Sequence, residues 1–234
     1  MNIAAVSFRA AIATAALAAA SAAHADLTIP FGFTNSNSVQ TFTDDNLAAY
    51  DLVNLTVTGA GTTTAVGPVV VGESNGTKNS KAFSFPITKI VIGSKLNIAS
   101  GSAVGSALKF NRVDLDTGEA LGFTLANFTI DYDKKVVLAD VTPNGGAVAL
   151  QQPIYLFNVA TPLALKYKFP LTVTGHEVLD HLLLSAGAKT LFTNTLKLPE
   201  YATPALELDF GNLTQDISTT LRKTAVSGKP YVAQ

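Results

Sequence analysis

Short runs of Val, Ile, Thr, Phe and Leu recur along most of the chain, bounded by Gly, Asn, Asp and Pro. That is the pattern of β-strands separated by turns. It predicts strands over Leu27–Phe33, Leu52–Thr58, Pro68–Val71, Ala82–Pro86 and Lys89–Ile92. Further strands are predicted over Leu108–Leu115, Leu121–Leu125, Phe128–Tyr132, Val136–Thr142, Ile154–Val159, Ala164–Val173 and Ala205–Phe210. Between 108 and 142 the alternation is clearest. A strand ends at Asp116-Thr117-Gly118-Glu119, Phe128-Thr129-Ile130-Asp131-Tyr132 alternates again, and Asp133-Lys134 turns into the next strand. This reads as an antiparallel meander with one buried face.

One helical region interrupts the β pattern, around 174–197, and two readings of it are open. Thr174-Gly175-His176-Glu177 fits a capping box, followed by Val178, Leu179, Leu182, Leu183 and Ala186 at helical spacing. Alternatively Leu182–Leu184 is a strand and Ser185 caps a helix over Ala186–Leu196. The expected fold class is all-β: an antiparallel β-sandwich or β-rich domain with one short helical region. No repeat or low-complexity linker divides residues 26–234, so they are expected to form a single domain.

Residues 1–25 change the picture. Arg9 precedes an Ala-rich apolar run to Ala20, and Ala23-His24-Ala25 is a small-residue cleavage site. This predicts a signal peptide, a mature start at Asp26, and a protein of the periplasm, cell surface or extracellular space. The chain has no Cys, so an exported fold must rely on its core, and thiolate metal sites and thiol catalysis are excluded. With 16 Lys+Arg against 17 Asp+Glu and no basic stripe, nothing favours nucleic acid as a partner. Beyond the leader no apolar run is long enough to span a bilayer as a helix.

Candidate chemistry is sparse. Gly72-Glu73-Ser74-Asn75-Gly76 matches G-x-S-x-G, but strand-like Phe83-Ser84-Phe85-Pro86 follows where a nucleophile elbow needs a helix, so a polar loop is expected. His176-Glu177-Val178-Leu179-Asp180-His181 clusters titratable groups, yet places Asp180 at i+4 and His181 at i+5, off the spacing of a zinc helix. Asp114-Leu115-Asp116-Thr117-Gly118-Glu119 is a fragment of a calcium loop without its later ligands, and reads as a hairpin turn. Asp131 and Asp133 lack an opposing carboxylate and read as turn residues. Tyr132, Tyr155 and Tyr167 lie in strands, where packing is their commoner use.

Residues 121 to about 198 resemble the HtaA-like domain of secreted bacterial haem-uptake proteins. The matching stretches are Leu125-Ala126-Asn127-Phe128-Thr129-Ile130-Asp131, Val136-Val137-Leu138-Ala139-Asp140-Val141, Ile154-Tyr155-Leu156-Phe157-Asn158-Val159 and Leu183-Leu184-Ser185-Ala186-Gly187-Ala188. The resemblance implies an all-β exported domain with one helix, and a hydrophobic ligand such as haem. For a haem carrier the candidate residues are Tyr155, Tyr167, His176 and His181. The leading expectation is different: a non-enzymatic exported structural or interaction module, without a cofactor or metal, that associates with itself through edge strands. The edge is expected in Leu27–Phe33, where Pro30 suits an edge and not a central strand.

Overall fold

The computed structural model describes residues 27–30, 32, 34–93, 98–169, 172–220, 222 and 226–233. The proposed leader and cleavage site lie outside these residues. Twelve antiparallel strands form one curled sheet: β1 (Leu27–Pro30), β2 (Asn37–Thr41), β3 (Leu55–Gly61), β4 (Thr64–Val71), β5 (Lys78–Pro86), β6 (Lys89–Ile92), β7 (Ile98–Val113), β8 (Ala120–Asp131), β9 (Val136–Pro143), β10 (Ala149–Lys168), β11 (Thr172–Leu184) and β12 (Asn212–Ser218). Among the described residues three helical segments accompany them: α1 (Asp44–Leu52), α2 (Ala186–Thr195) and the 3-10 segment η1 (Glu200–Glu207).

The all-β class is as expected, but the sheet is a ring and not a two-layer sandwich. Its order runs β6-β7-β8-β9-β10-β11-β12-β2-β5. β5 continues into β6 through Ile87 and Thr88, whose amides donate to Ser36 O (2.9 Å) and Ser102 O (2.8 Å). One stretch of chain therefore pairs with β2 at one end and β7 at the other, and closes the circle. Closure protects the edges within the ring and leaves β1 and β4 as terminal strands. β3 pairs with the far half of β7, and Asn79 of β5 serves its other side. The Asn79 Oδ1 accepts from Val57 N (2.7 Å) and its Nδ2 donates to Leu55 O (3.1 Å), as a neighbouring backbone would.

The ring encloses a continuous apolar core, capped at one end by the helical segments. Phe110 stacks on Phe123 (4.9 Å), and Phe192 of α2 meets both edge-on at 5.3 and 4.8 Å. Tyr50 of α1 packs against Phe42, Phe110 and Phe210. Thr43 caps α1 by accepting from Asn46 N (3.2 Å), and Ser185 caps α2 by accepting from Ala188 N (3.1 Å).

Several sequence expectations are corrected here. Thr174–Glu177 is not a capping box: it lies in β11, and the helix is the one that Ser185 starts, the second of the two readings. α1 was not expected, so the helical region is not single. Ala205–Phe210 is not a strand, because Pro204 and the η1 turns occupy that stretch. β2 and β12 were absent from the predicted strands. Leu121–Leu125 and Phe128–Tyr132 are parts of one strand, β8, joined through a bulge at Asn127, which adopts a left-handed conformation (φ 52°).

The G-x-S-x-G segment is the loop from β4 to β5, without a following helix, as expected. It folds around Asp51 of α1. The carboxylate accepts from Ser74 N (2.6 Å), Asn75 N (3.1 Å), Thr77 N (2.9 Å) and Thr77 Oγ1 (2.8 Å). In return Asn75 Nδ2 donates to the last carbonyls of α1, Asp51 O (2.6 Å) and Leu52 O (3.3 Å). Gly72 permits this approach, since a Cβ there would overlap the Asp51 carboxyl.

Candidate functional site

A column of polar side chains runs through the ring, because the inward positions of β2, β11 and β12 are not all apolar. Glu177 faces Gln215 across the β11–β12 ladder, and Gln215 faces Ser38 across β12–β2. Tyr132, at the end of β8, donates to Glu177 Oε2, and Gln215 Nε2 donates both to Tyr132 Oη (2.6 Å) and to Glu177 Oε2 (2.9 Å). Deeper in, Gln40 Nε2 reaches Tyr155 Oη at 3.4 Å. A cavity of about 30 Å³ lies among these groups, walled by Phe85, Phe128, Val137 and Leu213.

Burial sets the protonation of the column. Desolvation raises the Glu177 pKa, against the hydrogen bond from Tyr132 that lowers it. Desolvation and the adjacent Glu177 charge push the Tyr132 phenol far above its ordinary range. The Tyr155 phenol is pushed up to about 12 by burial, with Gln40 opposing. All three tend towards the neutral state. A carboxyl whose folded pKa is raised weakens the fold above that pKa, and the penalty is relieved as pH falls through it. Glu177→Gln keeps the shape without the charge. It is therefore expected to raise the thermal midpoint at about pH 8, with the gap to wild type closing as the solution is acidified. Calorimetry across pH measures this.

The four residues considered for haem do not converge. Tyr155 is 2% exposed inside the ring, and its ring packs against Phe210. The side chain of Tyr167 lies outside the described residues; its backbone pairs with Val173 near the end of the β10–β11 hairpin. His176 is on the outer face of β11, where Nδ1 meets Asp216 Oδ1 at 2.8 Å. His181 is also outside, in a left-handed conformation (φ 51°), with its pKa raised first by the Asp180 hydrogen bond. The strand thus turns Glu177 inward and both histidines outward. The interior cavity is far below the ~300–1,000 Å³ of ordinary small-molecule pockets, so the ring as folded has no room for a macrocycle. Among the described residues no group of three His, Asp or Glu side chains is placed to hold a metal.

Asp114 and Asp131 serve their turns, as expected. Asp114 Oδ1 accepts from Asp116 N (3.1 Å), Thr117 N (3.0 Å) and Thr117 Oγ1 (3.0 Å), and Asp131 Oδ1 accepts from Lys134 N (3.0 Å).

The outstanding surface feature is an arm. β9 pairs with β10 only as far as Leu156. From Asn158 to Lys166 every residue of β10 is exposed except the half-buried Leu163, which packs against a small cluster of Ile87, Ile90, Ile98 and Ile217, so the hairpin has left the main core. Val159 and Leu165 are open to solvent, and Phe169 at the tip is 85% exposed. A groove of about 480 Å³ lies at the base of the arm, lined by Thr161, Lys166, Thr174, His176 and Asp216 with Asn37 of β2. The sequence placed an edge strand at the N-terminus, and the sheet has one there as well. β1 is a terminal strand, as Pro30 suggested, but it is paired with β6 of its own chain from Leu27↔Ile92 to Pro30↔Lys89.

Among the described residues no helix is long and apolar enough to cross a membrane. Comparison by sequence matches no family model and no curated protein. Among solved structures the chain is similar to the C-terminal domain of HtaA from Corynebacterium glutamicum, with a TM-score of 0.45 and 16% identity, over 79% of this chain and 97% of that one.

Proposed function

We propose that this chain is an exported, non-enzymatic interaction module that joins a second copy of itself through the open edge of the β10–β11 arm. The observation that carries the reading is the unpaired side of β10. Beyond Leu156 it has no ladder partner among the described residues, whereas β11 is covered by β12 up to Thr174. Unpaired N–H and C=O groups beside exposed Val159, Leu165 and Phe169 form a template for another strand. Pro162 offers no N–H, so the usable run begins at Leu163.

Antiparallel pairing of two such edges obeys a two-fold axis and closes as a dimer. With the axis between Leu165 and Lys166, each Lys166 lies opposite Leu165 of the other copy and like charges are not apposed. The leader at residues 1–25 supports action outside the cytoplasm.

Sedimentation of residues 26–234 over a concentration series tests the proposal. A monomer–dimer equilibrium is expected, and Leu165→Lys should weaken it by about tenfold or more while circular dichroism stays unchanged. A wild-type protein that remains monomeric at millimolar concentration would refute self-association through the arm. So would a dimer indifferent to Leu165→Lys.

A further inference from the structure

The buried side-chain polar atoms that lack a hydrogen-bond partner among the described residues are Ser38 Oγ, Tyr50 Oη, and both Oδ1 and Nδ2 of Asn46. Native interiors leave few such atoms unpaired, because each costs about 1–3 kcal/mol. Here they are not scattered. Ser38 borders the small cavity inside the ring, and Asn46 and Tyr50 border a second cavity of about 60 Å³ between α1 and η1. Asn46 is 1% exposed, and its backbone is already engaged with Thr43, so its whole carboxamide is left for whatever enters.

The rest of this second cavity is apolar. Ala49, Leu198, Ala205 and Leu206 contribute to its walls, and no charged side chain lines it. Two lining residues also reach the surface: Leu52 is 48% exposed and Tyr201 67% exposed. They mark an apolar mouth. Burial keeps the Tyr50 phenol protonated, and hence a donor. The covering segments are slight, a nine-residue helix and a 3-10 segment interrupted by Pro204.

We infer that this cavity binds a neutral amphiphile, a straight alkyl chain ending in a head group that offers both a hydrogen-bond donor and an acceptor, as a primary carboxamide does. The head pairs with Asn46, since a carboxamide matches a carboxamide donor to acceptor. Because about 150 Å³ is needed to enclose a benzene-sized molecule, 60 Å³ holds the head alone. The chain must leave past Leu52 and Tyr201. A charged head is rejected, as nothing in the cavity compensates its desolvation.

Hexanamide is the probe, with hexanoate as the charged control, on the full mature chain. Hexanamide should raise the thermal midpoint in a saturable way and shift the side-chain NH₂ resonance of Asn46 in ¹⁵N-labelled protein, and hexanoate at neutral pH should do neither. Asn46→Leu keeps the side chain's heavy-atom count and branching and removes both orphaned atoms, at the cost of bulkier methyl groups. It should fold with an equal or higher midpoint and lose hexanamide affinity by about tenfold or more. Equal responses of wild type and Asn46→Leu would overturn the assignment. So would a crystal structure grown with hexanamide that shows only ordered water on Asn46. Dimerisation through the arm is read separately by sedimentation, so either proposal can fail alone.

Discussion

Asp51→Ala is expected to cost about 3 kcal/mol of unfolding free energy, because it leaves three loop amides and a hydroxyl without their shared acceptor. Those donors belong to Ser74, Asn75 and Thr77, and the same loop supplies the Asn75 amide that caps α1. Losing the carboxylate should therefore loosen two elements together. Hydrogen exchange should show the 72–77 loop and the last turn of α1 opening as one unit. Acid provides an independent check. Burial alone would raise the Asp51 pKa, but the hydrogen bonds from Thr77, Asn75 and Ser74 outweigh it and bring the value down to about 2. With the folded pKa below the ordinary value near 3.9, the stabilisation is complete above that value and is lost as pH falls towards 2. Denaturant titrations of wild type should steepen in their pH dependence over that window, and those of Asp51→Ala should not.

Phe110→Ala is expected to cost about 4 kcal/mol, within the range for deleting a buried aromatic ring. Phe110 is fully buried where β7 meets the helical cap. It touches Phe123 on the neighbouring strand, Phe192 of α2 and Tyr50 of α1. No single neighbour can collapse into the space, since each is fixed to a different element. Chemical denaturation measures the loss, and an unfolding free energy within about 1 kcal/mol of wild type would contradict this account of the core.

Legibility in the sequence followed the contrast between the two faces of each strand. β6 and β9 alternate more buried apolar residues with more open positions, and β8 alternates Leu, Phe and Ile with smaller or polar residues although nearly all of it is buried, so alternation found them. β2 and β12 turn Ser38, Gln40 and Gln215 inward, and these positions erased the signal. Ala205–Phe210 shows the reverse failure. Its alternating Leu and Phe suggested a strand, but only Leu206 and Phe210 of that stretch are well buried, below a 3-10 turn that Pro204 favours. Thr174 and Glu177 had the spacing of a capping box by coincidence, and Glu177 is drawn inward by Tyr132 and Gln215 instead. Tyr155 was singled out as a candidate haem residue, with packing as its commoner use, and it is a member of the core. Asn46 could not have been found. A lone Asn after two Asp looks like any helix start, and its surroundings are completed by Leu198 and Leu206, which come from a distant part of the chain.

The way the ring closes has a consequence for how the protein is made. β12 seals the circle by pairing with β2, so Asn212 meets Thr41 and Asp216 meets Asn37 across most of the chain's length. During synthesis β2 leaves the ribosome early and waits for its partner until nearly everything else has emerged. Contacts so far apart in sequence form slowly, because the entropy of the intervening loop must be overcome first. In that interval β2 and β11 are bare edges on a half-built barrel. In the exported role proposed above, this delay is a gain. The ring cannot close before its last strand exists, so the chain would stay threadable through a translocation channel for longer than a ring sealed by neighbouring strands.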